Sequence, residues 1–244
     1  MTEQRILQWD GYPNARDFGS LPTKLSSSGE TVLGRIARGP RRERMTASGW
    51  DEADAWGLRS IVDLRCHYEV GKQDGDPVTA SERLAKYRII GSPVEDHADE
   101  EFRRLCFPIL DSPEYWVHHW RLQPELLRNA FSAIAGAAPG VLVHCSAGRD
   151  RTGMISALLL GHAGVPPESV ADDYAASVRA MAGVDSHSPT ADSQSAWKPQ
   201  RIDAWLVDKL PIVRQAARNA SEILTSLKVS AAVQEALRAK LLDQ

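Results

Sequence analysis

This chain has little cysteine, no long apolar run and almost no excess of either charge. Three cysteines among 244 residues, an odd number without regular spacing, argue against a disulfide framework and for a reducing compartment. Cys66 and Cys106 are spaced unlike any zinc site and read as small core residues. No run of about 18 apolar residues occurs, so neither a membrane span nor stable membrane insertion is expected. Met1 to Trp9 is polar and lacks the apolar core of a signal peptide. The expectation is therefore a cytoplasmic protein, with export by a route lacking a cleaved signal left open. A net charge of −3 gives no sign of nucleic-acid binding or strong membrane attraction. Neither an internal repeat nor a linker breaks the chain, so residues 1–244 read as one domain, long enough to bury a good core.

What the chain does have is the string His144-Cys145-Ser146-Ala147-Gly148-Arg149-Asp150-Arg151-Thr152-Gly153. The strand-like Val141-Leu142-Val143 leads in and the apolar, helix-like Met154 to Leu160 leads out. A strand, a tight loop and a helix start make an anion cradle, because backbone N–H groups and the helix dipole converge on one spot. A cysteine at its floor, with Arg151 nearby, is stabilised as a thiolate. Cys145 is the candidate nucleophile, carrying a phosphocysteine intermediate. Arg151 is the candidate clamp on two phosphoryl oxygens. The N–H groups of Ser146, Ala147, Gly148, Arg149, Asp150 and Arg151 would complete the oxygen cage. Gly148 allows the loop to curl and Gly153 allows close helix packing. Thr152 is expected to donate to the Cys145 sulfur, and His144 to orient the loop. The leaving oxygen needs a proton. Asp150 is the first candidate acid, and Asp63, closing the strand-like Ser60 to Leu64, is the second, with a structural role the stronger expectation.

Around this string, strand-like and helix-like segments alternate, which predicts an α/β fold: a mostly parallel central sheet with helices on both faces. Pro22 to Glu30 reads as an exposed loop or hairpin tip. Gly34 to Arg38, Ser60 to Leu64 and Tyr87 to Ile90 read as strands, and Lys72 to Ala80 as a loop. Thr46 to Trp56 reads as a helix capped by Thr46 or Ser48. Ser112 to Leu122 and Pro124 to Ala135 read as two more, with Pro124 in a first turn. Val170, Tyr174 and Val178 mark another in Pro166 to Met181. Gly183 to Lys198 reads equally as a mobile lid or an ordinary surface loop.

The cysteine-to-arginine spacing resembles the signature of cysteine-dependent tyrosine and dual-specificity phosphatases. The fuller string is similar to one branch, bacterial tyrosine phosphatases and related lipid phosphatases with a His-Cys-x-x-Gly-Lys-Asp-Arg-Thr loop. Asn14-Ala15-Arg16-Asp17-Phe18-Gly19 resembles that branch's N-terminal motif. Gly57 to Arg65 with Glu69, and the closing segment Val229 to Leu242, resemble it too. The resemblance implies a tyrosine-phosphatase-like fold, helices over the site within about Pro166 to Leu210, and Arg16 and Asp17 fixing the N-terminal segment against the site. It implies neither cofactor nor metal.

Arg149 stands where the branch has lysine, which weakens the phosphoinositide implication, and Arg38-Gly39-Pro40 stands where it has Arg-Ser. That second departure is expected to change loop geometry. The expected activity is phosphate monoester hydrolysis, with phosphotyrosine first and phosphoserine, phosphothreonine or phosphoinositide next. The partner is thus a phosphorylated protein or a phosphoinositide. The rivals are a rhodanese-like sulfurtransferase, disfavoured by Asp150 and the Arg151-Thr152-Gly153 ending; a cysteine phytase, for which the chain is short; and a catalytically silent phosphate-binding module.

Overall fold

A computed structural model describes residues 3–184, 194 and 196–243. Two short strands come first, β1 (Arg16–Asp17) and β2 (Ile36–Gly39). Helix α1 (Ala47–Trp56), strand β3 (Ser60–Asp63), the single turn α2 (Ser81–Leu84) and strand β4 (Arg88–Gly91) follow. Helices α3 (Glu100–Cys106), α4 (Trp116–Leu122) and α5 (Pro124–Gly136) precede strand β5 (Val141–His144). Among the described residues, five helices follow it: α6 (Asp150–His162), α7 (Pro167–Ala180), α8 (Pro199–Arg218), α9 (Ala220–Ser226) and α10 (Ala231–Leu241).

The sheet order is β1-β2-β5-β3-β4. Only the β1–β2 pair is antiparallel, so the expected mostly parallel sheet is what forms. Alternation along the strands sends side chains to opposite faces. Ile36, Val62, Val141 and Val143 enter a large core on one face, with residues of α5, α6 and α7. Ala37, Ile61 and Leu142 enter a smaller core with Trp9, Tyr12 and Trp50. The central strand β5 is buried along its whole length, which places the residue after it, Cys145, at the middle of the sheet's C-terminal edge. Open parallel sheets bind ligands at that edge.

Local chemistry sets the ends of the elements. Thr46 caps α1 through Gly49 N at 3.2 Å, and Gly57, in the left-handed region, stops it. The Ser112 helix begins later than its pattern suggested, because Pro113–Tyr115 form a 3₁₀ turn before α4. Helix α3 carried no expectation. Its signal is an Asp99 cap followed by Glu100 and Glu101 in a first turn, on a segment too short for clear periodicity. Strands β2 and β4 sit one or two residues later than expected, and β3 ends at Asp63. Pro22 pairs with Glu30 in a single antiparallel bridge, closing the expected hairpin tip. Most of the candidate lid, Gly183 to Lys198, lies outside the described residues.

Candidate active site

The loop from Cys145 to Arg149 joins β5 to α6. Its shape follows from where its carbonyls go. Arg41 N donates to Ser146 O at 2.8 Å. Asn14 Nδ2 donates to Ala147 O and Gly148 O at 3.2 and 3.3 Å. Arg38 Nη2 donates to Gly148 O at 2.6 Å. Three successive carbonyls are thus drawn outward by donors from the N-terminal segment, from β2 and from Arg41 just after it. A planar trans peptide points its N–H opposite to its C=O. The N–H groups of Ala147, Gly148 and Arg149 therefore turn to the inner side, where the first turn of α6 begins.

Gly148 is required for this curl. Its φ is +67°, and a Cβ there would stand 2.3 Å from Gly39 O. Gly39 is itself crowded, since a Cβ would stand 2.4 Å from the Tyr12 ring. The Arg38-Gly39-Pro40 departure is therefore matched to the loop by direct contact. Gly153 leaves room for the Tyr174 ring, 2.8 Å from where its Cβ would be.

Behind the loop lies a buried hub. Asp173 on α7 pairs with Arg5 at 2.8 Å, Arg16 at 2.9 Å and Arg38 at 2.5 Å. All four are buried. Burial pushes the Asp173 carboxyl up, but the three arginines, Arg16 foremost, outweigh it and hold it well below the usual range. Burial lowers the Arg38 guanidinium to about 10, against the pull of Asp173. Arg16 also reaches Asn14 Oδ1 at 2.5 Å and so orients the amide that holds the loop. Three guanidiniums against one carboxylate leave positive charge behind the cradle.

Asp17 does something else. Its carboxylate accepts from Gly19 N, Gly34 N and Trp56 Nε1 at 2.7, 2.9 and 2.7 Å. Neighbours on a strand face opposite sides, so Arg16 alone of the expected pair joins the loop's network.

Arg151, buried in the first turn of α6, is held by two carboxylates. Glu69 accepts from Nη1 and Nη2 at 2.5 and 2.7 Å, and Glu95 Oε2 lies 3.6 Å from Nε. Burial would lower this guanidinium, but Glu95, Glu69 and Cys145 raise it well above its ordinary value. Cys145 is also buried, 3% exposed. Asp150 accepts from Arg149 Nε at 2.9 Å and from the Tyr174 hydroxyl at 3.2 Å. Arg149 is itself buried.

Asp63 accepts from Arg65 at 2.6 and 2.9 Å and from Arg42 at 2.5 Å. Burial pushes its carboxyl up; His144, Arg65 and Arg42 more than offset this and hold it well below the carboxylate range. Burial also pushes His144 below its ordinary value, against Asp63, so the fixed charge facing Asp63 at neutral pH belongs to the two arginines. The His144 ring lies 3.0 Å from Cys145 O through Nδ1. Thr152 departs from expectation. Its hydroxyl is buried with no hydrogen-bond partner among the described residues, so the contact with the Cys145 sulfur is not made. A β-branched side chain has few rotamers in a helix, which limits where Oγ1 can point.

Glu95 and Asp173 carried no signal in the sequence. Asn14, Arg38 and Glu69 did, as members of the motifs quoted above, without a role attached.

The sequence pattern described as the tyrosine phosphatase family matches residues 7–243, and the chain belongs to that family. A tyrosine-protein phosphatase from Nostoc commune is 34% identical over 143 residues, which are 57% of this chain and 47% of that protein. A putative tyrosine-protein phosphatase from Cupriavidus necator is 27% identical over 172 residues, 69% of this chain and 61% of that protein. The chain thus spans about half to three-fifths of the length of these relatives. Among solved structures, P. aeruginosa TpbA in complex with phosphotyrosine aligns with 76% of this chain and 87% of its own, at 14% identity and a TM-score of 0.31. No helix among the described residues is long and apolar enough to cross a membrane.

Proposed function

We propose that residues 1–244 form one phosphatase domain that hydrolyses phosphate monoesters through a phosphocysteine on Cys145, without a metal in the chemical step. The observation that carries this reading is the loop itself. Its carbonyls at Ser146, Ala147 and Gly148 are held outward by Arg41, Asn14 and Arg38, which leaves its N–H groups to face an anion above Cys145.

In the first step the Cys145 thiolate attacks phosphorus, the S–P bond forms and the P–O bond to the leaving group breaks. Asp150 gives its proton to the departing oxygen. In the second step Asp150 takes a proton from water, the water oxygen bonds to phosphorus, and Cys145 leaves as thiolate. Arg151 and the loop N–H groups stabilise the charge on the transferring group. Asp150 is favoured over Asp63 because Asp63 is locked ionised between Arg65 and Arg42 and has no proton to give at neutral pH.

Phosphotyrosine is the first substrate class, supported by the family and by the naming of its relatives. Phosphoserine, phosphothreonine and phosphoinositides follow. Buried Arg149, in place of the lysine of the branch with lipid phosphatases, supports that order. The test is p-nitrophenyl phosphate hydrolysis in EDTA and fresh reductant, wild type beside Cys145→Ser. Turnover in wild type and none in the variant, with phosphate-analogue binding retained, is the expected result. Equal turnover in both would remove Cys145 as nucleophile. No turnover in folded wild type would leave a binding module.

A further inference from the structure

We propose that Cys66, Glu95 and His97 form a zinc site beside Arg151, distinct from the phosphate loop. One ligand atom from each lies within 4.8 Å of the other two. Cys66 Sγ is 3.9 Å from His97 Nδ1, the nitrogen that would face the ion; the opposite ring nitrogen, Nε2, is held 2.9 Å from Glu95 Oε2, so Glu95 would bind through its other oxygen. Ligands of a tetrahedral zinc, with bonds of about 2.0–2.3 Å, stand roughly 3.3–3.8 Å apart. The sulfur and the imidazole are therefore near bonding separation before any ion arrives. A set of one sulfur, one nitrogen and one oxygen suits zinc and is wrong for magnesium or calcium, which take oxygen.

A second observation points the same way. Glu95 is 3% exposed, yet its Oε1 has no hydrogen-bond partner among the described residues. A carboxylate oxygen in that position is costly unless something binds it. Glu95, Cys66 and His97 also line one open cavity of about 650 Å³, so an ion has a way in. Arg103 on the cavity wall is already engaged by the carbonyls of His97 and Ala98.

Binding is ligand exchange with no redox step. The Cys66 thiol loses its proton to solvent, the Zn–S bond forms, and the exposed Tyr68 hydroxyl gives up its contact with His97 Nδ1. Water completes the tetrahedron, as in sites with three protein ligands. The site was hidden in the sequence because its donors come from three separate positions with no zinc-like spacing. It touches the phosphate arginine through Glu95, 3.6 Å from Arg151 Nε. Zinc and Arg151 thus share one carboxylate, and occupancy of one changes the charge felt by the other.

The test is ligation, so it stands or falls separately from the phosphatase reading. The Cys145→Ser variant of residues 1–244, which lacks the catalytic thiol, is titrated with cobalt(II) and then zinc. The expected result is a thiolate-to-cobalt charge-transfer band that saturates at one ion per chain and is displaced by zinc. Adding Cys66→Ser should abolish the band. Adding His97→Gln should weaken affinity by about tenfold or more. Adding Cys106→Ser should change nothing. No band, or a band that survives both Cys66→Ser and His97→Gln in variants shown folded by circular dichroism, would overturn the site.

Discussion

Glu69 grips both terminal nitrogens of Arg151, at 2.5 and 2.7 Å, from 82 residues away in the chain. The same carboxylate accepts from Cys66 N at 2.9 Å, so its own position is fixed. A fork held end-on at one edge keeps its remaining N–H groups aimed in one direction.

Glu69→Gln should therefore loosen Arg151 without removing it. A charge-assisted bond is worth about 1.5–3 kcal/mol, so kcat/KM on p-nitrophenyl phosphate should fall by roughly tenfold or more. Vanadate affinity should fall in parallel. Unchanged kinetics would show that Glu95 alone suffices to place the fork.

Asp173→Asn should weaken the fold more than any surface change. It leaves Arg5, Arg16 and Arg38 buried without a counter-charge. Breaking a buried ion pair by removing one partner costs about 3–5 kcal/mol, measurable by urea unfolding.

The pH dependence of that stability has a definite sign. The folded Asp173 carboxyl lies well below its unfolded value. Its contribution is full above the ordinary carboxyl range, about 3.9, and fades as pH falls through the folded value. Wild type should lose stability steeply on acidification, and Asp173→Asn should show a flatter acid limb. Equal acid slopes would place the acid sensitivity elsewhere.

Gly148→Ala should damage the loop while sparing the fold. The new Cβ meets Gly39 O in a left-handed backbone, and the cradle must shift to relieve it. A displacement of about 1 Å at a reacting centre can lower rate by about a hundredfold. The expected pattern is a large fall in kcat with a small change in melting temperature. A variant with full activity would show that the loop tolerates another curl.

Asp150→Asn should slow phenyl phosphate far more than p-nitrophenyl phosphate, because only the poorer leaving group needs the proton. Similar losses on both esters would move the acid elsewhere. Tyr174→Phe, which removes the hydroxyl that donates to Asp150 at 3.2 Å, should give a smaller change in the same direction.

Much of the fold was legible before the structure. Thr46 caps the helix it was read to cap, and Val141 to Val143 do form the strand that leads into the loop. Alternating strands and helices gave the parallel sheet. Helix α3 was missed because seven residues give too little periodicity, although Asp99 offered a cap. Arg16 and Asp17 are both expected to fix the N-terminal segment against the site, and strand alternation sends their side chains to different networks. The expected bond from Thr152 to the Cys145 sulfur is not made, because a motif position does not set where a hydroxyl points.

The sequence by itself determined the strand, loop and helix from Val141 to His162, because the cues for all three are local: an apolar run, a glycine that tolerates positive φ and a helical apolar run. Only the tertiary structure decided which groups hold that loop and its arginine. Asn14, Arg38, Glu69, Glu95 and Asp173 come from five separate stretches. A hydrogen bond or ion pair depends on distance in space, and chain folding sets that distance through packing that no local pattern encodes.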